Sequence, residues 1–458
     1  MMYRYFSRMP AWKALGVVCL CMAVSVAAEA QTQTQTISPE FTRTIRHNPD
    51  GSVTLGMGDK AGIVQGMHAG DPRAVQTMLA SQTPFWSLLA ASVLARMQGD
   101  FTQSDKQANR MVAYLEREGG LRDLEPLVMY AEILKAGNAG LAGSWKDWLV
   151  ALHGLQGKYE KPLRDFFRIP SLKFINMDHI TLNVPTEDLP TPSVDWAPVN
   201  HVDYVKTLQK KAVPGINPVV PVLINQQKVD AVLDTGAFIS ILPNEYLKSG
   251  GFKSIGKVSN SFDAEGRSDT GPLVVVDNLT IGKTVFHNVI FQTTTAKKTI
   301  LGLQILKQFP HFHMTDTGVT FGPAAEYDCH RPMLLSSDPS ANSAYLVFPV
   351  ISDQSVRYAY LDSGNIGDAL FFEHVPYFSS EEQKQATSFR ALTTTGAGTF
   401  LAVYRPMTAT VDGVKLTGKV QKALRHIPNL IPDFLLTSAL LQHGSFYFDF
   451  PTHTLCYK

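Results

Sequence analysis

One apolar pattern occurs twice in the second half of the chain, and each copy ends in an aspartate. Pro221-Val222-Leu223-Ile224 reads as a strand, residues 225–227 as a turn, and Val229 to Leu233 as a second strand running into Asp234-Thr235-Gly236-Ala237. Farther on, Tyr345 to Val350, a turn over Ser352 to Ser355, and Val356 to Leu361 run into Asp362-Ser363-Gly364. Pro221 precedes Asp234 by 13 positions, and Pro349 precedes Asp362 by the same 13. An isolated Asp-Thr-Gly is a common turn. An apolar hairpin feeding such a turn twice at equal distance points to two halves built alike. Short apolar runs with turn residues between them make 216–458 a mostly-β unit. A third copy of the tripeptide, Asp316-Thr317-Gly318, follows no such hairpin and reads as a simple turn.

Two carboxylates brought together give the repetition a chemical purpose. Carboxyl groups held about 3 Å apart cannot both ionise, so they share a proton. One then serves as a general base on water while the other serves as an acid toward a carbonyl and a leaving nitrogen. The titrations belong to the pair rather than to either residue. Glycine at positions 236 and 364 lets the backbone turn closely behind each carboxylate, and the hydroxyls of Thr235 and Ser363 can reach the opposite loop.

These motifs resemble the retropepsin/pepsin aspartic peptidase superfamily. The resemblance implies a bilobal all-β unit of the acid-protease type, with a first lobe over 216–330 and a second over 331–458. Asp234 and Asp362 would be the catalytic pair. Thr235, Gly236, Ser363 and Gly364 would support them. Flaps closing over substrate fall on the polar hairpin around Ala264, Glu265 and Gly266 and on the Gly-rich turn at Thr395, Gly396 and Ala397. Ile300-Leu301-Gly302 matches the family's element that passes behind the active-site loop. The second lobe departs from the pattern twice: Asn365 stands where the family has Thr, Ser or Ala, and Thr437 stands where Gly is expected after Leu435-Leu436. The substrate implied is a polypeptide bound as an extended strand.

The first half reads differently. Arg4, Arg8 and Lys13, then an apolar run from Ala14 to Ala28 and the small residues of Ala28-Glu29-Ala30, read as a signal peptide over 1–30. Residues 31–56 open with alternating Gln and Thr and are expected as a flexible leader. Apolar residues at helical spacing (Trp86, Leu89, Ala90, Val93 and Met97, for example) predict an all-α domain over 57–160, either a repeat-like stack of helix pairs or a small bundle. Pro126 is expected in the first turn of one helix, and Gly99, Gly119-Gly120 and Gly137 in the gaps between helices. A connector rich in Pro, Asp and Val covers 161–215. The fold class is therefore multidomain, helical and then all-β.

Composition closes off other classes. The net charge of +1 gives no electrostatic case for nucleic acid. No Cys-x-x-Cys, His-Glu-x-x-His or Gly-x-Ser-x-Gly pattern occurs, so no metal or cofactor is expected. Cys329 and Cys456, the two cysteines outside the leader, make either one disulfide or two buried thiols. A cleaved leader implies a periplasmic or secreted protein with no stable membrane insertion. The helical domain is either a packed core element or a surface that docks a protein substrate. Two rivals to a single-chain peptidase remain open: a peptidase that pairs two chains through the first lobe, and a non-catalytic peptide-binding or scaffolding protein.

Overall fold

In the computed structural model the described residues are 32–38, 41–47, 53–59, 62–81, 84–117, 121–167, 172–173, 180–206, 215–249, 251–262, 268–295, 297–393, 396–424 and 434–458. The leader over 1–30 and the flap positions Ala264, Glu265, Gly266 and Thr395 lie outside them. Two compact units form: 1–60 with 160–175, and 61–159 with 176–458.

In the smaller unit, the segment expected as a flexible leader forms strands Thr32–Ser38, Phe41–His47 and Val53–Asp59, joined by Leu172–Lys173 in one sheet. The Thr-Gln alternation that looked like low complexity has period two and a β-branched residue at every second position, which suits an extended chain.

The larger unit begins with helices and continues as β-structure. The helices are Ile63–Ala69, Pro72–Leu79, Pro84–Met97, Phe101–Arg117, Leu121–Leu141 and Trp145–Phe167, the last of which belongs to this unit as far as Tyr159. Trp86, Leu89, Ala90, Val93 and Met97 are buried on one of them, as their spacing predicts. Two residues stand elsewhere than expected. Pro126 stands inside Leu121–Leu141 rather than in a first turn, so that helix loses one backbone donor there. Gly137 is also interior to it, for a packing reason given below.

The β-structure consists of two closed sheets of the same connectivity. In the first, strands Val219–Ile224 and Gln227–Asp234 form an antiparallel hairpin, and Ile241–Pro243, Lys253–Phe262, Ser268–Ile281, Thr284–Thr294 and Thr299–Gly302 follow. In the second, Ala344–Ser352 and Ser355–Asp362 form the hairpin, followed by Phe371–Val375, Thr387–Thr393, Gly396–Val411, Val414–Leu424 and Phe434–Thr437. Both hairpins turn in two residues with positive φ: Asn225 and Gln226 at 46° and 70°, Asp353 and Gln354 at 48° and 63°. That geometry matches the right-handed twist of the flanking strands. Pro221 lies opposite Asp230 and Pro349 opposite Tyr358, so the two hairpins share a register.

Residues 180–203, expected as connector, supply edge strands to the first lobe: Ile180–Leu182 on Lys253–Phe262, Ser193–Asp195 on Thr284–Thr294, and Asn200–Asp203 on Gly318–Phe321. A five-stranded sheet then joins the lobes, with Phe312–Met314 of the first antiparallel to Phe446–Asp449 of the second. Phe312 and Phe448 stack across this seam at 4.4 Å, both fully buried. Each such ring is worth about 2–3 kcal/mol of burial. Asp316-Thr317-Gly318 is the turn of the adjoining hairpin, where the Thr315 amide donates to the Gly318 carbonyl. Cys329 and Cys456 form a disulfide, Cα to Cα 5.8 Å, bridging 127 positions.

Candidate active site

Asp234 and Asp362 each end the second strand of their hairpin, and each strand is buried along its last turns: Ala231, Val232 and Leu233 on one side, Ala359, Tyr360 and Leu361 on the other. Burial on both faces follows from position. Gln227–Asp234 runs parallel to Thr299–Gly302, with Gly302 opposite Asp234, and Ser355–Asp362 runs parallel to Phe434–Thr437, with Thr437 opposite Asp362. Beneath the first loop Val219, Val232, Ile241 and Ile300 pack together, with Ala237 against them.

The loops interlock behind the carboxyls. The Thr235 hydroxyl donates to the Leu361 carbonyl at 2.7 Å and accepts from the Ser363 amide at 3.1 Å. The Ser363 hydroxyl donates to the Leu233 carbonyl at 2.8 Å and accepts from the Thr235 amide at 2.9 Å. Both hydroxyl residues are fully buried. The glycines are required by closeness. A methyl group on Gly236 would stand 2.6 Å from Oδ1 of Asp362, and one on Gly364 would stand 2.3 Å from Cγ of Asp234. Each half's glycine therefore sits against the other half's carboxyl.

The two carboxyls are close neighbours: a methyl group on Gly236 would stand 2.6 Å from Oδ1 of Asp362 and 3.2 Å from Oδ1 of Asp234. Asp234 accepts from the amides of Gly236 at 2.8 Å and Ala237 at 3.2 Å, whereas Asp362 accepts from Asn365 at 3.1 Å. Both residues are part-buried, and their carboxyls are surrounded by protein. Desolvation accordingly raises both above the ordinary carboxylate range, and Asp362 is raised well above it because the charge on Asp234 adds to the effect. The larger set of backbone donors on Asp234 holds it lower.

Both departures in the second lobe are absorbed by the backbone. Asn365 does with its main chain what Ala237 does: its amide meets the carboxylate, and its carbonyl accepts from Ser438 at 3.2 Å as that of Ala237 accepts from Leu303 at 2.7 Å. Thr437 fits because the loop is longer. Phe371 follows Asp362 by nine positions where Ile241 follows Asp234 by seven. A methyl on Gly302 would stand 2.7 Å from the Ala237 carbonyl. Thr437 instead finds the Ala369 carbonyl for its hydroxyl at 2.5 Å and caps the Ala439 amide at 3.2 Å.

Of the flap positions, Gly396 and Ala397 lie in the strand Gly396–Val411, paired with Thr393 and Leu392. Sequence reasoning missed Tyr345. It stands edge-to-face on Tyr360 at 5.0 Å, and burial, then Tyr360 and the charge of Asp362, push its phenol up. The available signal was register, since extending the hairpin pairing sets Tyr345 across from Asp362. Among the described residues no cluster of His, Cys, Asp and Glu is arranged to hold a metal ion, and no helix is long and apolar enough to cross a membrane.

Residues 220–308, which hold the first hairpin, Asp234 and the Gly302 element, match the family model described as gag-polyprotein putative aspartyl protease. Over these residues the chain is similar to that aspartyl protease family. Among solved structures, it is similar to a retropepsin-like aspartic protease from Rickettsia conorii at 16% identity, over 29% of this chain and 94% of that one, with a TM-score of 0.20. No curated protein matches the chain. The likeness to an aspartyl protease family thus covers 220–308, and the second lobe repeats the connectivity of that segment.

Proposed function

We propose that this chain is an aspartic endopeptidase in which Asp234 and Asp362 act on one water molecule. Ionised Asp234 takes a proton from the water as its oxygen attacks the scissile carbonyl carbon. Protonated Asp362 gives its proton to the carbonyl oxygen, leaving a tetrahedral diol. Collapse of the diol returns a hydroxyl proton to Asp362, while the proton held by Asp234 passes to the departing nitrogen. Atoms balance as one water consumed per peptide bond.

The reciprocal bonding of Thr235 and Ser363 carries this reading. It supports a site completed within one chain, so that pairing of two chains through the first lobe is unnecessary. The substrate would be a polypeptide lying as an extended strand, docked for larger proteins on outward faces of the helices. The Cys329–Cys456 bond favours an oxidising compartment, in keeping with export to the periplasm or beyond.

Incubation with a peptide library and mass-spectrometric readout tests the proposal, with Asp234→Ala as the control. Cleavage by the wild type and none by the variant supports it. Tight peptide binding without cleavage by the wild type would favour a scaffolding protein instead.

A further inference from the structure

Helices of the larger unit lie against both lobes, close behind the two aspartate loops. Trp148 shows this most simply. Its ring is buried, meets Phe238 edge-to-face at 5.9 Å, and its indole N–H donates to the Ser340 carbonyl at 2.7 Å. Phe238 directly follows Asp234-Thr235-Gly236-Ala237, and its carbonyl accepts from the Gln304 amide at 2.9 Å. Ser340 lies between the strands Leu335–Ser337 and Ala344–Ser352, which pair antiparallel at the start of the second lobe. One side chain of the helix Trp145–Phe167 therefore touches both halves.

Buried cations reinforce the same contact. Lys307, 3% exposed, ends the turn of helix behind Asp234. Its ammonium lies 4.9 Å from the centre of the Phe238 ring and donates to the Gly140 carbonyl of the helix Leu121–Leu141. Arg96, fully buried, donates to the Leu134 carbonyl at 2.9 Å and Asn138 Oδ1 at 3.0 Å among the helices. On the second-lobe side it donates to Ser337 Oγ at 2.9 Å and the Asp338 carbonyl at 2.6 Å. Gly137 permits the approach: a methyl there would stand 2.2 Å from the Pro339 carbonyl. On the strand that ends in Asp362, the Tyr360 hydroxyl donates to the His68 carbonyl at 2.6 Å, and so does Ser336 Oγ.

A buried cation that loses its partners is costly, so these contacts hold their geometry tightly. A helical layer serving only to recruit substrate would have no need to satisfy buried charges with carbonyls from both lobes. We infer that the helical layer is a brace that fixes the two aspartate loops at one separation, with Trp148 and Lys307 as positioning residues. The catalytic half of this inference rests on the peptidase reading. Its physical half, the restraint on the loops, does not.

The test uses the full chain and the variants Trp148→Phe, which keeps a ring against Phe238 but loses the N–H, and Lys307→Met, with Lys307→Arg as the conservative rescue. Measured are kcat and KM on a cleaved peptide and amide hydrogen exchange at Thr235 and Ser363. A misplacement of the order of an ångström at the reacting groups costs up to about 100-fold, so kcat should fall about tenfold or more while KM stays within about twofold. Lys307→Arg should recover part of the loss. Unchanged kcat in both variants, with only thermal stability altered, overturns the inference. Should the wild type cleave nothing, the peptidase reading fails and exchange alone decides: faster exchange at both loops in the variants supports the brace, and unchanged exchange refutes it. If Lys307→Met does not fold, Trp148→Phe carries the test.

Discussion

Thr235 and Ser363 bond to each other symmetrically, the amide of each donating to the hydroxyl of the other at 2.9 and 3.1 Å. Each hydroxyl then donates to the carbonyl just before the opposite aspartate, Leu361 for Thr235 and Leu233 for Ser363. No donor or acceptor in this set of four is left over, so the loops are held together by a network that fails as a whole. Thr235→Ala would leave the Leu361 carbonyl and the Ser363 amide unpaired in a buried place. We expect a loss of about 1–3 kcal/mol in urea unfolding, with Thr235→Ser close to the wild type. Equal stability of the Ala and Ser variants would show that the hydroxyl bonds contribute nothing.

Thr437→Gly restores the residue that the family carries, yet it should destabilise. The side chain fills the room made by the longer 363–370 loop and satisfies the Ala369 carbonyl and Ala439 amide. Its removal should cost about 1–3 kcal/mol in chemical unfolding. Gly302→Ala in the first lobe should cost a comparable amount for the opposite reason, overpacking, since its methyl would meet the Ala237 carbonyl. A neutral Gly302→Ala would contradict the close approach described there.

Lys307 makes a pH-dependent contribution. Burial lowers its ammonium to about 7, and the charge of Arg96 adds to that. The unfolded chain then binds this proton more tightly than the folded one. The penalty is complete below about pH 7 and fades as pH rises toward about 10.5, where the unfolded lysine also deprotonates. Lys307→Met should therefore gain stability at pH 6 relative to pH 10, by at most about 5 kcal/mol. Urea midpoints at the two values check this, and an equal effect at both would remove the buried charge from the account.

Asp362 behaves in the other sense. Its folded value is raised by burial and by Asp234, so the stability it contributes is present below the ordinary carboxylate range and is lost as pH rises through the folded value. Asp362→Asn should abolish cleavage and yet raise the urea midpoint at pH 8 more than at pH 3.

Reduction of the Cys329–Cys456 bond opens a loop of 127 positions. Chain entropy puts the loss at about 2–5 kcal/mol. Unfolding with and without reductant measures it, and Cys456→Ala should match the reduced protein.

The duplicated halves were legible because register carries information: an equal offset from proline to aspartate became the same cross-strand pair in both hairpins. Burial of Trp86, Val93 and Met97 was legible from period alone. What escaped was set by tertiary contact. Gly137 looks like a helix end, but it is an interior residue made small by the Pro339 carbonyl. Lys307 and Arg96 look like surface charges, and their partners stand far away in the chain. Thr437 looks like a defect in sequence because the longer loop and the Ala369 and Ala439 backbone groups that accommodate it are set by the fold. The Thr-Gln leader resembles low complexity in composition, but its period of two suits the strand Thr32–Ser38.

The central physical claim is that Asp234 and Asp362 hold one proton between them. Carbon-13 titration of the two labelled carboxyls, in the wild type and in Asp234→Asn, tests it most directly. The account predicts two widely separated steps, the upper at Asp362, which falls when the charge at position 234 is removed but stays elevated because burial is the larger cause. Two carboxyls titrating independently near the ordinary range, with Asp362 indifferent to Asp234→Asn, would contradict it.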